Sequence, residues 1–132
     1  MRKLFLVALI IFTAFTASFA QGGATGQQPD EIRNMGRAPR EPNGIGRLDL
    51  RVVDDEGTPV KGVHAFLESK RTDGFLCESW NWTDERGVSV LPPLHMGRLT
   101  LTLKAKGYET QKIQVDAASL DQPVRVVLQP KK

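Results

Sequence analysis

The sequence predicts an all-β protein, a seven-stranded antiparallel sandwich, and three observations support this. Apolar and polar residues alternate with a period of two from Leu48 onward, which is the pattern of strands with one buried face. Residues typical of turns interrupt this alternation at short intervals. After residue 20, no segment shows the apolar spacing of a helix beyond at most one turn near residues 117–120. Many short strands joined by tight turns are typical of an antiparallel sandwich.

The first 20 residues predict a signal peptide. Two basic residues precede an apolar run over residues 4–12, and small residues occupy the minus-three and minus-one positions of a cleavage site between Ala20 and Gln21. The alternative is an uncleaved membrane anchor, because residues 4–20 come close to the length of a spanning helix. We expect cleavage, export to the periplasm or the extracellular space, and no membrane insertion of the mature chain.

Residues 21–45 predict a flexible, disordered linker. Gly, Gln, Pro, Asn and Arg dominate this segment, and its apolar residues are isolated. Acidic side chains balance its basic ones, and the net charge of +3 falls to +1 when Arg2 and Lys3 leave with the signal peptide. Nucleic acids and anionic membranes require clustered basic residues, so we expect no nucleic-acid partner.

The predicted domain covers residues 46–130, and local patterns define its seven strands. Apolar residues on one face mark each strand in order: Leu48, Leu50 and Val52; Val63, Ala65 and Leu67; the segment 75–83; Val88 and Val90; Leu99, Leu101 and Leu103; Ile113 and Val115; and Val124, Val126 and Leu128. The turn at residues 54–59 and the hairpin pair Asp73-Gly74 separate the first three strands. Pro92 and Pro93 prevent further ladder pairing after the fourth strand.

Several turn residues have predicted structural roles. In the segment 83–87, we expect Asp84 to accept hydrogen bonds from nearby backbone N–H groups and Gly87 to adopt a positive φ, which together fix the register of a hairpin. We expect Tyr108 to pack its ring inside the domain and to hydrogen-bond a backbone group. The other predicted turn residues are Gly57, Pro59, Gly62, Gly97 and Gly107.

These turns carry a resemblance to a known family. Residues 57–63, 83–87 and 91–94, together with Gly97 and the pair Gly107-Tyr108, resemble the carboxypeptidase regulatory-like domain family over the whole predicted domain. The resemblance implies a prealbumin-like, Greek-key sandwich in the carbohydrate-binding-like fold grouping, and it implies an exported bacterial protein. It implies no particular activity, because the matching residues shape turns and core.

The residues favour a protein that is not an enzyme and has no metal and no cofactor. A metallocarboxypeptidase requires two His and a Glu on zinc, whereas His64 and His95 are the only histidines and lie in different predicted elements. Intradiol dioxygenases use two Tyr and two His on iron, but Tyr108 is the only tyrosine. Cys77 is alone, which excludes an internal disulfide; we expect a buried thiol, with an intermolecular cross-link as the alternative.

Two tryptophans form the strongest candidate for a binding site. Trp80 and Trp82 are two residues apart on the predicted third strand and therefore point to the same face, where their rings can stack on a sugar. Glu78, Asn81 and Arg86 are the candidate hydrogen-bonding residues. The alternative is that at least one tryptophan fills the core or covers a sheet edge.

Three hypotheses of function follow from these observations. The first is a secreted, non-catalytic binding or interaction module whose ligand is a carbohydrate. The second is a structural or assembly partner of another envelope protein, which it contacts through an open sheet edge. The third, which the sequence favours least, is an enzyme with an unrecognised site.

Overall fold

The computed structural model describes residues 32–132, so the predicted signal peptide and residues 21–31 of the predicted linker lie outside the described residues. No helix within residues 32–132 has both the length and the apolar character needed to cross a bilayer. Strands dominate this part of the chain, and the fold is all-β. Its nine strands are β1 Ile45–Gly46, β2 Asp49–Val53, β3 His64–Lys70, β4 Leu76–Trp82, β5 Val88–Val90, β6 Leu94–His95, β7 Arg98–Lys104, β8 Gln111–Val115 and β9 Val124–Val127. One turn of 3₁₀ helix, Ala117–Ser119, precedes β9.

The largest sheet has four strands in the order β4-β3-β7-β8, each antiparallel to its neighbours. In the central strand β3, His64 lies opposite Trp82 on one side and opposite Lys104 on the other. Ala65, Leu67 and Ser69 are buried, while the alternating residues His64, Phe66 and Glu68 are only partly buried. One face of this sheet therefore points to the core and the other to solvent.

The second sheet has three strands in the order β5-β2-β9. β5 is antiparallel to β2, but β9 runs parallel to it, with Leu50 opposite Val124 and Val53 opposite Val127. The prediction of a wholly antiparallel fold is therefore wrong for this pair. The chain between the end of β2 and the start of β9 forms the whole four-stranded sheet, and this is the long connection that parallel pairing requires.

A third, two-stranded sheet pairs β1 with β6. Ile45 lies opposite His95, and Gly46 lies opposite Leu94. Residues 32–132 thus contain nine strands where seven were predicted, and the seven longer ones correspond to the predicted strands. Strands of two residues show too little alternation to be recognised in a sequence.

The two larger sheets share one hydrophobic core. Leu50 and Val52 of β2 belong to the same buried cluster as Leu67 of β3 and Leu101 of β7. Each buried leucine contributes about 2 kcal/mol through removal of its apolar surface from water. The fully buried members with the largest side chains include Leu48, Leu91, Met96, Leu99, Leu103, Leu120 and Leu128.

Residues 33–44, which we call the arm, lie against the domain. Arg37 in the arm and Arg47 exchange two backbone hydrogen bonds, of 2.8 and 2.9 Å. The N–H of Met35 donates to Oδ2 of Asp49 at 2.8 Å, and the N–H of Ala38 donates to Oδ1 of Asp121 at 2.9 Å. The arm falls within the predicted flexible linker. Although its sequence has no apolar periodicity, these hydrogen bonds hold it against the domain.

The turn between β4 and β5 is held by one carboxylate and one glycine. Oδ1 of Asp84 accepts hydrogen bonds from the N–H groups of Arg86 at 2.8 Å and Val88 at 3.1 Å. Gly87 has a φ of 72°, in the left-handed region that favours glycine.

Gly97 is a predicted turn glycine without a positive φ. Glycine is required there by close packing, because a Cβ would clash with the backbone carbonyl of Lys70. Positive φ values also occur at Gly57, Gly62 and Gly107.

Pro59 and Tyr108 lie where separate chain segments meet. Pro59 forms an isolated bridge with Val53, and Tyr108 forms one with Pro130. The Tyr108 ring is half-buried and packs against the core. Its hydroxyl has no hydrogen-bond partner among residues 32–132, so the expected bond to the backbone is not formed.

Candidate functional site

The outward face of the four-stranded sheet carries the candidate site. Successive residues of a strand point to opposite sides, so alternate side chains of β3, β4 and β7 share this face. The strand register arranges them in rows across the sheet: Trp82, His64 and Lys104 in the first; Trp80, Phe66, Thr102 and Lys112 in the second; Glu78, Glu68, Thr100 and Gln114 in the third. Side chains from distant parts of the chain thereby form one surface.

Four rings form what we call the aromatic face: His64, Phe66, Trp80 and Trp82. The two tryptophans expose 57% and 59% of their surface. The ring centroids of His64 and Trp82 are 4.6 Å apart with an interplanar angle of 59°, and those of His64 and Phe66 are 6.5 Å apart and nearly parallel. Neither tryptophan fills the core, although both lie on the edge strand β4. Their exposed rings are available to a ligand.

The structure brings Glu78 to the tryptophan face but leaves Asn81 and Arg86 away from it. Nδ2 of Asn81 donates to the carbonyl oxygen of Val90 at 2.9 Å, on the other side of β4. Asn81 is one residue from each tryptophan, and the period of two turns it to the opposite face. Arg86 lies in the turn after β4, where Nη2 contacts the carboxylate of Asp84 at 2.9 Å.

Two carboxylates border the aromatic face on the side of Trp80 and Phe66. Glu78 and Glu68 are direct cross-strand neighbours on the outward side of the sheet. Like charges in this position destabilise a sheet. When ionised, both side chains accept hydrogen bonds and donate none. This pair therefore favours a ligand that donates hydrogen bonds, such as a hydroxyl-rich one.

At the Trp82 end, the aromatic face borders a shallow pocket of about 610 Å³, which we call the lysine pocket. Lys104 and Lys106 reach it from the end of β7, and Lys131 reaches it from the C-terminal segment. The backbone N–H of Lys131 donates to the carbonyl oxygen of Gly107 at 2.9 Å and fixes this segment beside the pocket. The remaining lining residues are Gly62, His64, Trp82, Ala105, Tyr108 and Thr110. The alternation of Lys104 and Lys106 was the one local signal of this pocket in the sequence.

A larger cavity of about 680 Å³ lies between the arm, the β3–β4 connection and the start of β7. Its lining holds four basic residues, Arg40, Lys70, Arg71 and Arg98, and two acidic residues, Glu41 and Asp116. Arg71 is also paired with the carboxylate of Asp73 at 3.2 Å. Basic residues outnumber acidic ones in this wall, but its carboxylates make it less uniformly positive than the lysine pocket.

The carboxyl groups with shifted pKa lie away from the aromatic face. Burial raises the pKa of the Asp49 carboxyl, but hydrogen bonds from Arg51 and from the N–H of Met35 outweigh this effect and leave the pKa below its ordinary value. Burial also raises the pKa of Asp84, and hydrogen bonds from Arg86 and two backbone N–H groups outweigh it in the same way. Both carboxylates hold the backbone in place.

The two histidines and the cysteine lie in separate places. His64 is part of the aromatic face, whereas Nδ1 of His95 lies 2.8 Å from the carbonyl oxygen of Asn43. Cys77 is half-buried on β4. Within residues 32–132, no group of three or more His, Cys, Asp or Glu side chains is placed to hold a metal ion.

Comparisons with known proteins concern the fold. No family model matches the chain, and no curated protein matches it. Among solved structures, the chain is similar to 3-chlorocatechol 1,2-dioxygenase from Rhodococcus opacus 1CP, with a TM-score of 0.52 and 16% sequence identity. The match covers 74% of this chain and 64% of the dioxygenase chain, so this chain spans less than two thirds of the dioxygenase. At this identity the likeness extends to the fold alone.

Proposed function

We propose that this protein is an exported, non-catalytic sugar-binding module whose binding platform is the aromatic face. The observation that carries the proposal is the exposure of more than half of both Trp80 and Trp82 on one side of a sheet. Large aromatic side chains are mostly buried, and a contiguous exposed group of them marks an interaction surface. The proposal includes export of a bacterial protein directed by residues 1–20.

The proposed fold is a prealbumin-like, Greek-key sandwich of the carboxypeptidase regulatory-like kind. In this proposal the four-stranded and three-stranded sheets are the two layers, and β1 and β6 are additions to them. The shared core of the two sheets supports this assignment. The resemblance of the turn segments to that family remains a prediction.

A sugar suits the aromatic face for two physical reasons. The C–H groups of a pyranose ring match the flat indole surfaces of Trp80 and Trp82, and rigid aromatic side chains lose little conformational entropy on binding. The hydroxyl groups of the sugar can donate to Glu78, which lies on the same side of β4, and can exchange hydrogen bonds with Thr102 in the row of Trp80. Apolar stacking with a few convergent polar groups is the usual composition of a ligand site.

The test is a glycan panel followed by calorimetric titration of the best ligand. We expect Trp80→Ala and Trp82→Ala each to weaken binding about tenfold or more, because stacking on an aromatic side chain contributes about 1–3 kcal/mol. The matched control is Phe75→Ala, since Phe75 is 62% exposed but lies in the β3–β4 connection beside Arg71. Absence of binding across the panel, or equal loss in all three variants, contradicts the proposal.

Assembly through a sheet edge is the second candidate. β4 is poorly suited to it, because Ser79 and Asn81 donate to the carbonyl oxygens of Pro92 and Val90 at 3.1 and 2.9 Å and a neighbouring segment thus covers this edge. The other edge of the sheet, β8, pairs with β7 alone in the described part of the chain. A partner captured from envelope extract equally well by the wild type and by a variant lacking both tryptophans would favour this candidate.

A further inference from the structure

The lysine pocket and the aromatic face form one continuous surface. Trp82 and His64 belong to both, since they line the pocket and also provide two of the four rings of the aromatic face. In the strand register, Lys104 lies directly across β3 from Trp82, with His64 between them. A ligand stacked on Trp82 therefore extends into the pocket.

The charge of the pocket has a single sign. Lys104, Lys106 and Lys131 line it, and no Asp or Glu does. None of the three forms an ion pair with another residue between 32 and 132, whereas Lys61 on a neighbouring loop is paired with Glu85 at 3.4 Å. Their ammonium groups are available to an anion, and hydrogen bonds between charged partners are about twice as strong as neutral ones.

The charge reverses along the same face. Glu78 is four residues from Trp82 on β4, about 13 Å away at the rise of about 3.3 Å per residue of a strand. Glu68 lies opposite Glu78 and adds a second negative charge there. A ligand that crosses the face thus meets cations at one end, rings in the middle and anions at the other end.

We propose that the ligand of the aromatic face is a sugar chain carrying a carboxylate or a sulfate, with that anionic group held in the lysine pocket. This inference rests on the proposed function and names its substrate class. The carboxylates of Glu68 and Glu78 accept hydrogen bonds from uncharged hydroxyl groups further along the chain. A nucleic acid fits less well, because a strand with one negative charge per nucleotide would place phosphates against these two carboxylates.

The test measures the affinity of the full exported chain for matched sugars. The probes are a neutral oligoglucoside, the same oligoglucoside ending in a single glucuronate, and the same oligoglucoside carrying a single sulfate on its terminal sugar. We expect an anionic probe to bind about tenfold or more tightly than its neutral counterpart, and this preference to fall at high salt. Whether the probe with the terminal glucuronate or the probe with the terminal sulfate binds more tightly distinguishes the carboxylate from the sulfate.

The variant that tests the pocket is Lys104→Gln combined with Lys106→Gln. We expect it to bind the anionic probe about tenfold or more weakly and the neutral probe unchanged. The matched control is Lys70→Gln, since Lys70 is an exposed lysine of the same sheet face at its other end, opposite Leu76 and Arg98. An unchanged melting temperature in each variant establishes that the fold is intact.

The outcomes separate this inference from the proposed function. Equal affinity for charged and neutral sugars, with no effect of the lysine substitutions, overturns the inference and leaves a neutral sugar as the ligand. A single-stranded oligonucleotide that binds more tightly than any sugar and depends on Lys104 and Lys106 also overturns it. If no sugar binds at all, the inference and the proposed function fall together.

Discussion

At Gly87, backbone conformation and packing both exclude a side chain. Its φ of 72° strains any residue with a Cβ, and an added Cβ would clash with the carbonyl oxygen of Val52. The carbonyl of Gly87 accepts a hydrogen bond from the N–H of Val52 at 2.8 Å, which holds the turn against β2. The close approach and the turn conformation therefore depend on the same residue.

We expect Gly87→Ala to lower the free energy of unfolding by about 2 kcal/mol or more, because the strain and the clash add. The matched control is Gly57→Ala, where φ is 83° but no heavy atom lies within 4 Å of the added Cβ. We expect this control to cost about 1 kcal/mol, the strain alone. Urea denaturation measures both variants, and equal destabilisation would contradict the close approach.

Asp49 joins the arm to β2 through a fully buried carboxylate. Its two oxygens lie 2.7 and 2.9 Å from the guanidinium nitrogens of Arg51, and Oδ2 also accepts from the N–H of Met35 at 2.8 Å. Although burial raises the pKa of this carboxyl, these bonds lower it below the ordinary value of 3.8. Arg125 on the neighbouring strand β9 contributes a further attraction.

Because the pKa of Asp49 is lower in the folded chain than in the unfolded one, its stabilising contribution is present at neutral pH and is lost as the pH falls below about 4. We expect Asp49→Asn to have a lower free energy of unfolding than the wild type at neutral pH. We also expect its free energy of unfolding to fall less than that of the wild type as the pH is lowered. Urea denaturation from about pH 7 to about pH 3 measures this. Asp84→Asn is the comparison, with a smaller expected effect because the Asp84 side chain is 44% exposed. Acid sensitivity in Asp49→Asn equal to that of the wild type would count against this role.

Among the elements, the arm shows how hydrogen bonds order a segment in which Ala38 packs against the core but no apolar residue is fully buried. We expect the amides of Arg37 and Arg47 to exchange with solvent slowly, because each donates to the carbonyl of the other. Hydrogen exchange read by NMR measures both, and the amide of Lys132 at the end of the chain is the fast reference. Exchange of Arg37 at the rate of Lys132 would show that the arm is free in solution.

The longer strands could be predicted because their signals are local. Leu48, Leu50 and Val52 alternate with polar residues, and their burial follows from that alternation alone. The pairing of β1 with β6 and the parallel pairing of β9 with β2 depend on which distant segments meet. The arm also could not be predicted, because one of its acceptors, Asp121, is far along the chain.

The residues of the candidate site also divide into those that the sequence predicts and those that only the fold brings together. The period of two puts Trp80, Trp82 and Glu78 on one face and turns Asn81 to the other. The residues that complete the surface come from strand register, which places His64 and Lys104 in the row of Trp82. Lys131 joins them from the end of the chain, and no local pattern indicates this.

At the scale of the whole molecule, the proposed export predicts a specific N-terminus. Residues 1–20 lie outside the described residues, and the sequence predicts their removal before Gln21. We expect intact-mass spectrometry of the exported protein to give the mass of a chain that begins at Gln21. Recovery of an exported chain that still carries Met1 would instead support a retained anchor.

We expect the parallel pairing of β2 with β9 to form late in folding. The first long strand of the domain needs Val124–Val127 as its neighbour, and contacts between segments so far apart in the chain are entropically costly and form slowly. During synthesis, the side of β2 that pairs with β5 can close earlier, whereas the side that pairs with β9 stays open until almost the entire polypeptide has been made. Such a delay would serve the proposed export, since a chain that folds late is still unfolded when it reaches the export machinery.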